Sequence, residues 1–94
     1  IQALGVFPID VQRTPIDALA ADGHKWLLAP EGAGIAYVRR EWVDRLHPIG
    51  VGAHSVVKPF EYSHIDFTLK PHAGRWEGGA LNVPGLWALG ASLE

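Results

Sequence analysis

Glycine and proline recur so often along this chain, 11 and 7 times in 94 residues, that only short regular elements fit between them. Glycine weakens the interior of helices and strands, and proline can neither continue a helix nor donate to a strand ladder. What lies between the breaks is a series of short segments. Ala18-Leu19-Ala20-Ala21-Asp22 stops abruptly at Gly23. Its alanines favour helix, but a short apolar run with a sharp end suits a buried parallel strand, and a strand is expected. Ile35-Ala36-Tyr37-Val38, entered through the turn Pro30-Glu31-Gly32-Ala33-Gly34, is a second strand by composition. Residues 39–46 place Trp42, Val43 and Leu46 at helical spacing before Pro48 ends the pattern.

The flanking segments are less regular. Residues 1–13 read as a helical turn followed by a brief extended piece, and Thr14-Pro15-Ile16-Asp17 as a turn. From Ile49 to His72 the chain is loop-rich, with Ile65-Asp66-Phe67-Thr68-Leu69 as its one strand candidate. Asn82 can cap a final helix that Pro84 enters in its first turn, with Leu86, Leu89 or Gly90, and Leu93 as an apolar stripe. Strands alternating with helices imply an α/β architecture. There is no Met, and the sequence begins and ends inside segments that read as continuing, so an excerpt of a longer protein is expected.

Composition excludes several classes. With 48% hydrophobic and 19% charged residues the chain is globular rather than disordered. A net charge of −2 with scattered Lys and Arg offers no patch for nucleic acid or a membrane surface. No apolar run approaches the roughly 20 residues of a bilayer span, and no secretory signal pattern is present. Without cysteine, neither a disulfide nor a Cys-ligated zinc site forms within the chain. That composition is compatible with a reducing cytoplasm, the expected location. The five histidines, at 24, 47, 54, 64 and 72, lack the tight pairing of common zinc sites, and no metal is expected.

Lys25 is the residue of most chemical interest. It follows the first strand and Gly23, adjoins His24, and is trailed by Trp26-Leu27-Leu28. A lysine held in apolar surroundings loses solvation of its charged form and becomes nucleophilic, which a Schiff-base lysine requires. A strand's carboxyl end is also where open α/β sheets bind ligands. Spacing alone equally describes a solvated surface lysine, which is the commoner case. His24 is a candidate phosphate or ring contact, or a structural histidine. Gly32-Ala33-Gly34 fits either a close ligand approach or a turn. Gly78-Gly79-Ala80-Leu81-Asn82 precedes a helix start, where backbone N–H groups can take an anion. Arg75 with Glu77 is a candidate ligand clamp or an internal ion pair.

Together these segments resemble the class V aminotransferase family, which includes cysteine desulfurases, kynureninase and isopenicillin-N-epimerase-like proteins. The likeness runs nearly the whole chain. Residues 2–11 look like the stretch just after that family's cofactor aspartate. Asp22-Gly23-His24-Lys25-Trp26-Leu27-Leu28 with Pro30-Glu31-Gly32 looks like its lysine motif, and Arg75-Trp76-Glu77-Gly78-Gly79-Ala80-Leu81-Asn82 like its second cofactor loop. The order and spacing of all three carry the resemblance.

It implies a fragment of the large domain of a fold-type-I pyridoxal 5'-phosphate enzyme, with a mixed, mostly parallel sheet and helices, truncated at both ends. On that likeness Lys25 forms the Schiff base with the cofactor and later moves a proton between the substrate's α-carbon and the cofactor. His24 lies near the cofactor, and Gln2 hydrogen-bonds its ring hydroxyl. Gly79 and Ala80 reach the phosphate from the partner subunit, which implies a homodimer with shared sites. Asp22 and Ala80 stand at cofactor-contact positions where relatives usually carry Ser, and Thr or Ser. The implied substrate is an amino acid, and the implied reaction a transamination, a desulfurase or lyase step, or an epimerisation. The alternative is a relative that kept the fold without the chemistry. A desulfurase needs a nucleophilic cysteine, which in the relatives lies further toward the C-terminus. The pyridine-pairing aspartate and the carboxylate-binding arginine are likewise expected outside these residues, so the isolated chain is expected to be inactive.

Overall fold

Two strands and one capped helix frame the part of the chain that carries Lys25. The structure, a computed structural model, describes residues 1–94. In order it contains β1 (Ala18–Asp22), β2 (Gly34–Val38), α1 (Arg40–Val43), 3-10 turns at Ala53–Ser55 and Ala73–Trp76, and α2 (Val83–Ser92). These divide into two units, residues 1–37 with 82–94, and residues 38–81. No helix is long and apolar enough to cross a membrane.

In the first unit both expected strands form, and they pair with each other. The Gly23 N–H donates to Ala33 O at 2.7 Å, so the end of β1 lies beside the start of β2 and the pair runs antiparallel. The parallel pairing expected of β1 is therefore not the one this chain makes. Residues 23–33 contain no crossover helix, and a parallel return needs one or a comparably long connection. Along β1, half-buried Leu19 and buried Ala21 alternate with exposed neighbours, as a strand with one covered face does. The core is small: Leu27, Ala29, Ala33 and Leu89 are buried together, with Leu4 packed against them.

α2 starts as expected. The Asn82 side chain accepts a hydrogen bond from the Gly85 N–H at 3.2 Å, and Pro84 lies in the first turn. The same amide donates through Nδ2 to Gly32 O at 2.9 Å, tying the helix to the turn before β2. Of the expected stripe only Leu89 is buried; Leu86 and Leu93 are exposed, because the helix seats on the small residues Ala29 and Ala33 along a narrow line. Asn82→Ala removes both the cap and the tie. It is expected to destabilise the first unit by about 1–2 kcal/mol, measured as a lower urea midpoint with an unchanged slope.

The N-terminal segment makes its expected helical turn, with the Phe7 N–H donating to Ala3 O at 3.0 Å. The extended piece does not follow as a strand, since Asp10 accepts from Thr14 N–H at 2.8 Å and turns the chain.

In the second unit α1 is shorter than the expected 39–46. Arg39 at its N-cap position makes no side-chain cap bond, and Leu46 is exposed. Val43 is the buried residue of this helix, at 2% exposure. Residues 65–69 do not form a strand. The Asp66 carboxylate accepts from Thr68 N–H at 3.0 Å and Thr68 Oγ1 at 2.6 Å, a local bond that competes with ladder pairing. Only Leu69 reaches a partner, in an isolated antiparallel bridge to Val56. The Thr68 hydroxyl and N–H also hold the Asp66 carboxyl below its usual range.

Candidate functional site

The loop carrying Lys25 is closed by three backbone hydrogen bonds. Besides the Gly23–Ala33 bond, Ala29 N–H donates to Gly23 O at 2.9 Å, and Leu28 N–H to Lys25 O at 3.1 Å. Gly23, Leu27 and Ala29 are buried, while His24, Lys25, Trp26 and Leu28 are exposed. The loop is thus pinned by its small and apolar members and presents the lysine outward. Leu28 adopts a φ of 57°, a left-handed conformation that costs a non-glycine residue about 1–2 kcal/mol. Such outliers persist where the surrounding structure enforces them, and they cluster at functional sites.

The N-terminal turn lies directly on this loop. Gly5 has φ +93°, and a Cβ placed on it would stand 2.4 Å from Trp26 O and 2.7 Å from Trp26 C. Only glycine permits that approach. It brings the segment of Gln2, itself exposed, against the backbone next to Lys25. Nothing in the sequence around Gly5 signals this contact with residue 26.

Asp22 and His24 line an open depression together with Glu31 and Gly32-Ala33-Gly34. Two carboxylates beside one histidine make this a poor seat for a phosphate, as like charges at close range repel. Glu31 joins this group unforeseen. The two glycines serve the backbone: Gly32 turns the chain at φ +84°, and Gly34 lies so close to β1 that a Cβ would meet Ala21 O at 2.6 Å.

In the second unit, Gly79 and Ala80 are exposed, and their N–H groups donate to no acceptor of this chain. Arg75 does not pair with Glu77. It is buried, at 8% exposure, and donates to Lys70 O, Val43 O and Asp44 Oδ1 at 2.8, 2.7 and 3.2 Å. Backbone carbonyls draw it inward and leave Glu77 exposed. No group of three or more His, Cys, Asp or Glu side chains is placed to hold a metal ion.

Gln2, Asp22, His24 and Lys25 thus belong to the first unit, and Gly79 and Ala80 to the second. The apolar surroundings expected of Lys25 are not supplied by these residues, since its side chain is exposed. Within the first unit the donors fit pyridoxal phosphate: Lys25 brings a primary amine for its aldehyde and Gln2 an amide for its ring hydroxyl.

The family described as Aminotransferase class-V matches residues 1–94. The chain is similar to a probable cysteine desulfurase of Pasteurella multocida, at 36% identity over 99% of this chain and 21% of that protein. A probable cysteine desulfurase of Methanothermobacter thermautotrophicus is 31% identical over 99% of this chain and 22% of its own length. The chain therefore spans about a fifth of the length of these curated relatives. Among solved structures, the cystine C-S lyase C-DES in complex with its product cysteine persulfide superposes with a TM-score of 0.86 at 27% identity, covering 98% of this chain and 24% of that one. A lysine-to-alanine mutant of C-DES, with glycine covalently linked to its PLP cofactor, matches with a TM-score of 0.86 at 26% identity over 98% of this chain and 23% of that one. The expected fold, a segment of a fold-type-I enzyme with mixed α/β content, is borne out by this agreement. A match over the full length of the chain and two relatives above 30% identity lead to one conclusion: the chain belongs to the class V aminotransferase family.

Proposed function

We propose that these residues are part of the large domain of a pyridoxal-phosphate-dependent enzyme that acts on an amino acid, with Lys25 as the amine that holds the cofactor. The observation that carries this reading is the lysine loop. Three backbone bonds, a strained Leu28 and the Gly5 contact fix the loop, and its amine stays exposed. A mere surface lysine needs none of this construction.

Bound pyridoxal phosphate supplies an electron sink for bonds at the substrate's α-carbon. The chain's own residues do the rest. Nζ of Lys25 would hold the cofactor, and the same amine would carry a proton to or from the substrate's α-carbon. Gln2 would donate to the ring hydroxyl, and His24 would help hold the ring. Gly79 and Ala80 of the partner subunit would take the phosphate through backbone N–H alone, since Ala80 brings no hydroxyl. Phosphate is kept from the Asp22 and Glu31 side by their charge. Similarity to cysteine desulfurases and to a cystine C-S lyase favours carbon–sulfur cleavage among the family's reactions. The second unit exposes Phe60, Tyr62, Ile65 and Phe67, apolar surface of the kind an obligate subunit interface covers, which favours a homodimer with shared sites.

Borohydride reduction of the full-length protein loaded with cofactor tests this directly. A pyridoxyl group is expected on the peptide containing Lys25. Labelling of other lysines alone sinks the assignment. Retained label with no turnover of any amino acid favours a relative that kept only the fold.

A further inference from the structure

The loop bearing Gly79 and Ala80 emerges from a closed ring of hydrogen bonds in the second unit. Arg75 Nε donates to Lys70 O, and the Lys70 N–H donates to Ser55 O at 3.0 Å. Ser55 is fully buried, and its Oγ accepts from the Gly52 N–H at 3.2 Å. Gly52 lies directly on Gly78: a Cβ at Gly52 would stand 1.9 Å from Gly78 O, and His54 N–H donates to that same oxygen at 3.3 Å. Gly78 follows Arg75 by three residues, which closes the ring. The other end of the guanidinium reaches Val43 O and Asp44 Oδ1. The loop is thereby fixed to α1 by one side chain.

We infer that Arg75 is a positioning residue for phosphate binding by the loop that follows it. The inference rests on the proposed cofactor role of Gly79 and Ala80. Their N–H groups can meet a phosphate without reorganising only if Gly78 is held, and preset donors are worth more than mobile ones. Arg75 supplies that hold by spending all three of its donor directions on the protein. Each of its three nitrogens is engaged by the protein and the side chain is buried, so it acts through the loop rather than by contact. A lysine at this position keeps the charge but cannot form three divergent bonds, because the planar fork is particular to arginine.

Arg75 also stabilises a unit with little apolar core, and the test separates the two roles. Full-length apoprotein is titrated with pyridoxal phosphate and, separately, with pyridoxal, which lacks the phosphate. Arg75→Lys is expected to weaken pyridoxal phosphate binding by about tenfold or more and to leave pyridoxal binding nearly unchanged. Asp44→Asn, which disturbs one of the three bonds, is expected to produce the same selectivity at smaller size, and it carries the test if Arg75→Lys does not fold. Equal weakening of both ligands, or no change in either, overturns the inference. Failure of the unmodified protein to bind either compound instead overturns the proposed function, and this inference with it.

Discussion

Replacing Lys25 by alanine in the full-length protein is expected to abolish the resting enzyme's Schiff-base absorbance band, leaving any retained cofactor as its free aldehyde, and to lower turnover by at least about 100- to 10,000-fold. Two losses combine in this one change. On the proposed role of Lys25, the amine that holds the cofactor is gone, and so is the base that handles the α-proton. The fold should survive, because the side chain is exposed and the loop's stability comes from Leu27, Ala29 and the backbone bonds beneath it. An unchanged thermal midpoint alongside the lost band is therefore part of the expected result. A variant that keeps both band and turnover would falsify the assignment of Lys25. A variant that loses them only because it unfolds would show that the loop depends on the lysine stem, contrary to its exposure.

The elements that position this lysine were legible where local chemistry decides. β1 and β2 are marked by short apolar runs between breakers, and α2 by Asn82 and Pro84, whose capping roles need only neighbours within three residues. Legibility fails where a distant backbone or a competing local bond decides. Residues 65–69 have strand composition, but Asp66 captures Thr68 first. Arg75 reads naturally with Glu77, two positions away; its real partners include Asp44, just past the end of α1 and 31 residues earlier, and no periodicity signals such a pairing. The close approach of Gly52 to Gly78 is equally silent in sequence. For the candidate site, local pattern singles out Lys25 and the Gly78–Asn82 loop, and the resemblance gives them their roles. The acidic company of His24 and the outward presentation of Lys25 required the structure.

The Gly5 contact offers the strongest test of that presentation. Gly5→Ala is expected to destabilise the first unit by about 2–4 kcal/mol and to slow labelling of Lys25 by the cofactor. The left-handed φ of +93° is costly for alanine by itself, and the new Cβ meets Trp26 O, Trp26 C and Leu27 N, at 2.4, 2.7 and 3.1 Å. All three are backbone atoms, so no rotamer change relieves the clash. Either the turn of residues 3–7 lifts away, taking Gln2 with it, or the lysine loop moves. A second glycine supplies the control with opposite sign. Gly90 lies within α2, and a Cβ there meets nothing within 4 Å. Gly90→Ala should therefore stabilise by up to about 1 kcal/mol through helix propensity, with labelling of Lys25 unaffected. Urea unfolding reads the stabilities, and timed borohydride trapping reads the loop. If Gly5→Ala matches the Gly90→Ala variant in both measurements, the N-terminal turn does not rest on the lysine loop, and the support ascribed to it is absent.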